Sequence, residues 1–170
     1  MCGIAGFYHK AKDYREYGTH YRSILTGMHK KLWRRGPDDA GIYLSRHCGL
    51  SHSRLSIRDI SGGHQPMVRT SQGRTCSIAY NGEIYNAKEL RETLEKRGWR
   101  FETTCDTEVI LLGYMEFGSA FVTQLNGIFA CAIYDSAKET LCLFRDPMGV
   151  KPLFYTECQE EIIFASEIKG

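Results

Sequence analysis

The sequence begins Met1-Cys2-Gly3-Ile4-Ala5-Gly6-Phe7, and the interpretation of the whole chain depends on this stretch. If Met1 is removed, Cys2 becomes the N-terminal residue and carries both a thiol and a free α-amine. The amine titrates near pH ~7.7–8.0 and a free thiol near ~8.5, so one can deprotonate the other at neutral pH. Cys2 would then be a nucleophile with its own general base. For an isolated Met-Cys, a small apolar residue at the start of an edge strand is the better interpretation, but the residues downstream decide against it.

Length and charge limit the possible partners. The 170 residues are enough for one domain with a full core, so a single domain is predicted over residues 1–170. A net charge of +2 gives no electrostatic reason to expect nucleic acid or an anionic membrane as partner. No apolar run approaches the ~20 residues needed to span a bilayer, and no signal peptide is visible.

The seven cysteines indicate a reduced, cytoplasmic chain. Their number is odd, no CxxC occurs, and no secretion signal accompanies them. His47, Cys48 and His52 lie close together, but a zinc site would need a recognisable second pair of ligands. No metal site is therefore predicted.

Strand patterns at both ends of the chain enclose two or more helical segments. Strands are predicted at residues 3–8, 41–45, 49–54, 75–80, 127–134, 140–145, 153–156 and 162–165. Helices are predicted at residues 21–33, at 87–97 with Asn86 as N-cap, and at 108–117 with Asp106 or Thr107 as cap. Residues 145–155 read as a constrained double turn with an architectural role. This order predicts an α+β fold in which sheets pack together and helices cover them.

Asn81-Gly82-Glu83 follows a predicted strand and has two interpretations. Asn-Gly is a strong turn signal, and a turn that stops the strand after Tyr80 would explain it fully. Alternatively, the side-chain amide of Asn81 and the backbone N–H of Gly82 point the same way and hold the oxyanion of an acyl-transfer intermediate. Beside an N-terminal cysteine, the two interpretations are about equally supported.

Arg54 and Asp106 could together bind an α-amino acid. Arg54 lies in an apolar, strand-like context, where most arginines point to solvent. A functional arginine there would bind a carboxylate through two parallel hydrogen bonds. Asp106 is most simply a helix cap, and its alternative role is to bind an ammonium group.

Taken together, these stretches resemble the glutaminase domain of class II glutamine amidotransferases, most closely the asparagine synthetase branch. The matching segments are residues 1–7, 35–38, 52–57, 62–66, 80–86, 106–108, 125–129, 145–155 and 164–169. Each motif alone is weak, but their order and number cover nearly the whole chain. The resemblance implies an N-terminal nucleophile (Ntn) hydrolase, which is a four-layer α-β-β-α sandwich of two antiparallel sheets covered by helices.

The resemblance also implies an activity and a role for each site residue. The domain would hydrolyse L-glutamine to glutamate and ammonia through a thioester on Cys2, with Asn81 and Gly82 as the oxyanion hole. Arg54 would bind the substrate carboxylate, and Asp106 and Glu83 its ammonium. Backbone groups near Leu55 and Ile57 would line the pocket.

The expected partner is an ATP-dependent synthetase domain or subunit that receives the ammonia, with the domain expected beyond residue 170. No cofactor is expected here, because ATP and Mg would belong to that synthetase domain; an oligomer is possible. Two alternatives remain at this point. One is a catalytically silent module that packs against a synthetase, and the other is an Ntn hydrolase acting on a different amide.

Overall fold

The computed structural model describes residues 1–55 and 63–170. Within these residues the chain forms nine strands, three α-helices and two 3-10 turns. In chain order they are β1 (Gly3–His9), α1 (Gly18–Leu32), a turn (Trp33–Arg35), β2 (Asp39–Leu44), β3 (Cys48–Arg54), β4 (Met67–Ser71), β5 (Arg74–Ile84), α2 (Ala87–Lys96), α3 (Asp106–Phe117), a turn (Gly118–Gln124), β6 (Gly127–Asp135), β7 (Thr140–Arg145), β8 (Phe154–Cys158) and β9 (Glu161–Ala165).

The strands form two antiparallel sheets. The first sheet has the order β2-β3-β1-β9-β8 and the second has the order β4-β5-β6-β7. Helix α1 covers the outer face of the first sheet, and helices α2 and α3 cover the outer face of the second. The predicted α+β fold and its four-layer α-β-β-α order are therefore confirmed.

Strand β1 shows how alternating side chains build the layers, since successive residues of a strand point to opposite faces. Ile4 packs between the sheets, whereas Ala5 and Phe7 belong to the clusters under α1. On the inner face of that helix, Leu25 and Leu32 are fully buried. Burial of each leucine contributes about 1.5–3 kcal/mol, which fixes α1 against the strand that follows Cys2.

Strand β6 has the same alternation in the second sheet. Ala130 and Ala132 lie in the core between the sheets, while Cys131 and Ile133 face the helices. The small alanines fill the space between the sheets and the larger side chains fill the space under α2 and α3. The predicted strand at residues 127–134 is confirmed with one further residue, Asp135.

Strand β5 corrects the sequence-based prediction most clearly. It does not stop at Tyr80 but continues to Ile84, with Asn81 paired to Ala130 and Gly82 to Phe129. The turn interpretation of Asn81-Gly82 is therefore wrong. A turn propensity is local, whereas here a partner strand far along the chain supplies the pairing. Strand β4, for which no strand was predicted, lies beside the first half of β5.

The helix caps were predicted with mixed success. Asn86 occupies the N-cap position of α2, but its side chain makes no capping bond and instead binds Gln124 and Asn126. Helix α3 begins at Asp106, and the N-cap is Cys105, so the cap roles predicted for Asp106 and Thr107 are wrong. The Asp106 carboxylate is used elsewhere, as the next section describes.

The turn at residues 146–151 is organised by one buried carboxylate. Asp146 accepts hydrogen bonds from the backbone N–H groups of Phe129, Val150 and Lys151 at 2.9–3.2 Å. These bonds lower the pKa of Asp146 below its ordinary value, although burial alone would raise it. They fix the turn to β6, and Lys151 at its end lines the cavity described below.

Candidate active site

Strand β5 extends beyond the end of its neighbour β4, which leaves part of its edge without a backbone partner. The β4–β5 pairing reaches only Met67 and Ile78. N–H groups of alternate residues point to the same side of a strand. On this open edge the N–H of Tyr80 donates to Gln65 Oε1 at 2.7 Å, and the N–H of Ile84 donates to Asp106 Oδ2 at 3.0 Å. Side chains therefore replace the missing strand.

The N–H of Gly82 lies between these two satisfied groups and points the same way. Its opposite residue, Phe129, directs its own backbone groups to Asp146, at 3.2 Å for its N–H and 2.8 Å for its carbonyl. Gly82 and Phe129 are thus a pair without mutual hydrogen bonds, so the Gly82 N–H faces the open edge. No side chain in the described part of the protein accepts it.

Asn81 supplies a second unused donor. The residue is only 2% exposed, and its Nδ2 atom is buried without a hydrogen-bond partner among residues 1–55 and 63–170. Leaving such a group unpaired costs about 1–3 kcal/mol, so an orphan amide in a native fold needs an explanation. An amide and a glycine N–H, adjacent in sequence and both unsatisfied, suit a ligand oxygen that carries negative charge.

Gly82 cannot carry a side chain here. A Cβ atom at this position would collide with the Ile128 carbonyl oxygen and with the backbone of Phe129. The close approach of β6 therefore requires glycine at position 82.

Cys2 precedes β1, and contacts with residues distant in sequence fix its position. Its Sγ lies 3.8 Å from the carbonyl oxygen of Leu55. Its own carbonyl accepts a 2.9 Å hydrogen bond from Arg35 Nε, and Arg35 is in turn paired with Glu167 at 3.1 Å. Leu55 and Arg35, the latter held by Glu167, thus fix the position of Cys2.

A cavity of about 340 Å³ brings the predicted site residues together. The side chains or backbone of seven of them line it: Cys2, Arg54, Leu55, Asn81, Gly82, Glu83 and Asp106. The eighth, Ile57, lies outside the described residues. Met1 and Lys151 also line the cavity, and Lys151 Nζ is 3.5 Å from the Met1 sulfur.

Arg54 and Asp106 occupy positions suited to opposite charges. Arg54 is the last residue of β3 and is only 6% exposed, so the interpretation of a solvent-facing arginine is wrong. Asp106 is the first residue of α3, where the helix dipole favours a negative charge. Its Oδ2 accepts the Tyr80 hydroxyl at 2.6 Å in addition to the Ile84 N–H.

Two residues to which the sequence analysis gave no role in the site support the open edge. Gln65 is 6% exposed and lines the cavity; its Oε1 binds Tyr80 and its Nε2 lies 3.4 Å from Thr107 Oγ1. His52 Nε2 is 3.0 Å from the Tyr80 carbonyl oxygen, as its donor. Burial and the charge of Arg54 lower the pKa of His52 to about 4 against the opposing effect of that bond, so the ring is neutral at pH 7.

Glu108 anchors the loop that enters α3. Its carboxylate is fully buried and accepts the N–H of Glu102 at 2.9 Å, the N–H of Thr103 at 2.7 Å and the Thr103 hydroxyl at 2.6 Å. Arg69 on β4 forms an ion pair with it. Burial would raise the pKa of Glu108, but these hydrogen bonds lower it below its usual value.

Gln65 and Glu108 lie within segments that match the family, at residues 62–66 and 106–108, but the sequence analysis assigned neither a role. The sequence does not show which groups these two side chains bind. Among residues 1–55 and 63–170, no three His, Cys, Asp or Glu residues are grouped so as to hold a metal ion. None of the helices in these ranges is long and apolar enough to cross a membrane.

The four-layer sandwich, with a cavity at the second residue of the chain, defines an amidotransferase-type Ntn fold. The family described as "Glutamine amidotransferase domain" matches this chain over residues 1–170. Asparagine synthetase [glutamine-hydrolyzing] 3 of Bacillus subtilis (strain 168) is 43% identical over 170 residues, covering 100% of this chain and 27% of that protein. Asparagine synthetase B [glutamine-hydrolyzing] of Escherichia coli (strain K12) is 39% identical over 172 residues, covering 100% of this chain and 30% of that protein.

A solved structure agrees on the fold. Glutamine phosphoribosylpyrophosphate amidotransferase from B. subtilis, in complex with ADP and GMP, has a TM-score of 0.76 over 98% of this chain and 42% of that chain, at 22% identity. The chain belongs to the glutamine amidotransferase domain family, and the resemblance to the asparagine synthetase branch is confirmed. It spans about a quarter of the length of the B. subtilis relative.

Proposed function

We propose that this domain hydrolyses L-glutamine to glutamate and ammonia through a thioester on Cys2. The observation that carries the proposal is a pair of donors in the cavity that also contains the Cys2 thiol: Asn81 Nδ2, which has no partner among residues 1–55 and 63–170, and the Gly82 N–H, which faces the open edge of β5. Two preorganised donors of this kind stabilise the oxyanion of a tetrahedral intermediate more than the ground-state carbonyl.

The reaction requires the α-amine of Cys2, and therefore removal of Met1. The amine takes the thiol proton while Sγ attacks the side-chain amide carbon of glutamine. The oxyanion is held by Asn81 and Gly82, the amine returns the proton to the departing nitrogen, and ammonia leaves. Water activated by the same amine then adds to the thioester, releasing glutamate and restoring the thiol.

The substrate is selected by charged side chains that bind the two charged groups on its α-carbon. Arg54 binds the α-carboxylate, and Asp106, with Glu83, binds the α-ammonium. Carbonyl and N–H groups near Leu55 and Ile57 complete the wall. Because Arg54 is buried, its charge is less screened than that of a surface arginine.

We further propose that the ammonia passes to an ATP-dependent synthetase domain or subunit, as the names of the full-length relatives suggest. Asparagine is then the expected product, and ATP and Mg²⁺ belong to the synthetase. A cytoplasmic location is proposed on the basis of the seven cysteines, none of which forms a disulfide.

The test uses protein whose N-terminal residue is Cys2, verified by intact mass. We expect glutamate release from glutamine, and none above background from the Cys2→Ala variant. An electrophilic glutamine analogue should add its mass to Cys2 alone, with the exposed Cys158 as an internal control for nonspecific thiol reaction. Equal labelling of Cys2 and Cys158, or no glutamate release by folded protein, would support the silent-module alternative.

A further inference from the structure

Tyr80, next to the oxyanion site, makes hydrogen bonds to β3, to the segment before β4 and to α3. The function proposed above gives it no role. It immediately precedes Asn81 and is 3% exposed. Its backbone N–H binds Gln65, and its carbonyl accepts a hydrogen bond from His52. Its hydroxyl crosses from β5 to the start of α3, where it donates to Asp106 Oδ2 at 2.6 Å.

The Asp106 carboxylate is oriented by two donors on one oxygen. Oδ2 accepts both the Tyr80 hydroxyl and the Ile84 N–H, so rotation of the carboxylate would break two hydrogen bonds. Oδ1 accepts no hydrogen bond from the described residues. One oxygen is therefore held by the protein, and the other can receive a ligand.

The hydroxyl is a reliable donor. Burial and the neighbouring Asp106 raise the pKa of Tyr80 far above its usual range, so the phenol keeps its proton at any working pH. Hydrogen bonds to charged acceptors are shorter and stronger than those between neutral groups.

We propose that Tyr80 is a positioning residue that holds Asp106 for the α-ammonium of the substrate and thereby sets the preference for a free α-amino acid. This rests on the proposed function, because it assumes that Asp106 binds glutamine. The expected effect is on discrimination between substrates rather than on the chemical step, since the hydroxyl contacts neither the thiol nor the oxyanion donors.

The test compares kcat/KM for glutamine and for glutaramate, which is glutamine without its α-amino group. The ratio of the two values is independent of the fraction of active protein, so partial misfolding cannot imitate the effect. We expect Tyr80→Phe to lower the ratio about tenfold, mainly through a higher KM for glutamine, with the glutaramate value nearly unchanged.

The matched control is Tyr114→Phe. Tyr114 is also 3% exposed, belongs to the same core under the helices and has its hydroxyl 3.6 Å from Cys142 Sγ, away from the cavity. It should leave the ratio unchanged. In addition, Tyr80→Phe combined with Asp106→Ala should reduce the ratio no further than Asp106→Ala alone.

An unchanged ratio in Tyr80→Phe, or an equal loss for both substrates, would overturn the proposal while leaving the glutaminase function intact. Failure of the wild-type protein to hydrolyse glutamine would overturn the proposed function instead. In that case, calorimetric binding of glutamine and glutaramate to the Cys2→Ala variant, with and without Tyr80→Phe, decides about Tyr80 by the same ratio.

Discussion

The two halves of β5 have the same neighbour on one side and different neighbours on the other. From Arg74 to Ile78 the strand is paired with β4, whereas from Tyr80 to Ile84 its open edge meets side chains of other elements. Strand β6 accompanies both halves. In the first half the backbone groups are satisfied by pairing, and in the second one N–H group is left for a ligand. The binding site therefore forms where β5 extends beyond the end of β4.

The largest effect is expected from the buried ion pair that ties β4 to the loop before α3. Glu108→Ala leaves Arg69, which is 15% exposed, with only the exposed Glu102 as ion-pair partner and removes the acceptor for two backbone N–H groups. We expect a loss of about 3–5 kcal/mol in the free energy of unfolding, measured in urea. Lys169→Ala, which breaks an exposed pair with Glu167, should cost less than about 1 kcal/mol. Similar losses in the two variants would contradict the distinction between them.

The next effect separates activity from stability in the open half. Asn81→Ala removes an amide donor that has no partner to lose, so we expect kcat to fall by about 10²–10³ while the free energy of unfolding changes by less than about 1 kcal/mol.

Asn86→Ala is the matched control with the opposite pattern. Its amide bonds Gln124 and Asn126 at 2.9 Å, so this variant should lose about 1–2 kcal/mol of stability and keep its kcat. If Asn81→Ala retained full turnover, the orphan amide would have no catalytic meaning.

His52 should make the fold sensitive to acid. Its pKa is about 4 in the folded protein against ~6.5 when unfolded, so between these values only the unfolded chain binds the proton. The free energy of unfolding is therefore highest above pH ~6.5. Preferential protonation of the unfolded chain lowers it by about 2 kcal/mol between pH 7 and pH 5.

Urea titrations at both pH values measure this difference. His52→Gln keeps a donor for the Tyr80 carbonyl but cannot titrate, and it should be less sensitive to pH than the wild type. His20→Gln, at an exposed position, should behave as the wild type does. Equal pH dependence in all three proteins would rule out His52 as the source.

The smallest effect is expected in the paired half. Thr70 on β4 lies opposite Thr75 on β5, and their hydroxyl oxygens are 2.9 Å apart at an exposed position. Thr70→Val should change the free energy of unfolding by less than about 0.5 kcal/mol and leave glutamine turnover unchanged. A clear loss of turnover would mean that the paired half also contributes to the site.

Much of the fold could be predicted from local patterns. The dense run of apolar residues at 127–134, the turn after it and the returning strand at 140–145 predicted β6 and β7 within one residue. Strand β4 escaped prediction because Met67–Ser71 is short and its two apolar residues, Met67 and Val68, are adjacent and do not alternate with polar ones.

The site shows the limit of local patterns more sharply. The motif at Asn81-Gly82 could be read equally well as a turn, because dipeptide propensity does not include a partner strand. The contribution of Gln65 and the support from His52 depend on contacts between residues 15 and 28 positions apart, which no spacing rule predicts.

The sequence by itself determined the chemical groups available: a thiol beside the first residue, an amide next to a glycine, an arginine and an aspartate. Only the tertiary structure decided that these groups share one cavity, that β5 extends past β4 so that the Gly82 N–H faces an open edge, and that the Asn81 amide has no partner in the described part of the chain. The physical reason is that hydrogen-bond satisfaction is a property of the assembled sheet. A residue's type sets what it can donate, but only its neighbours in space decide whether that donor remains available.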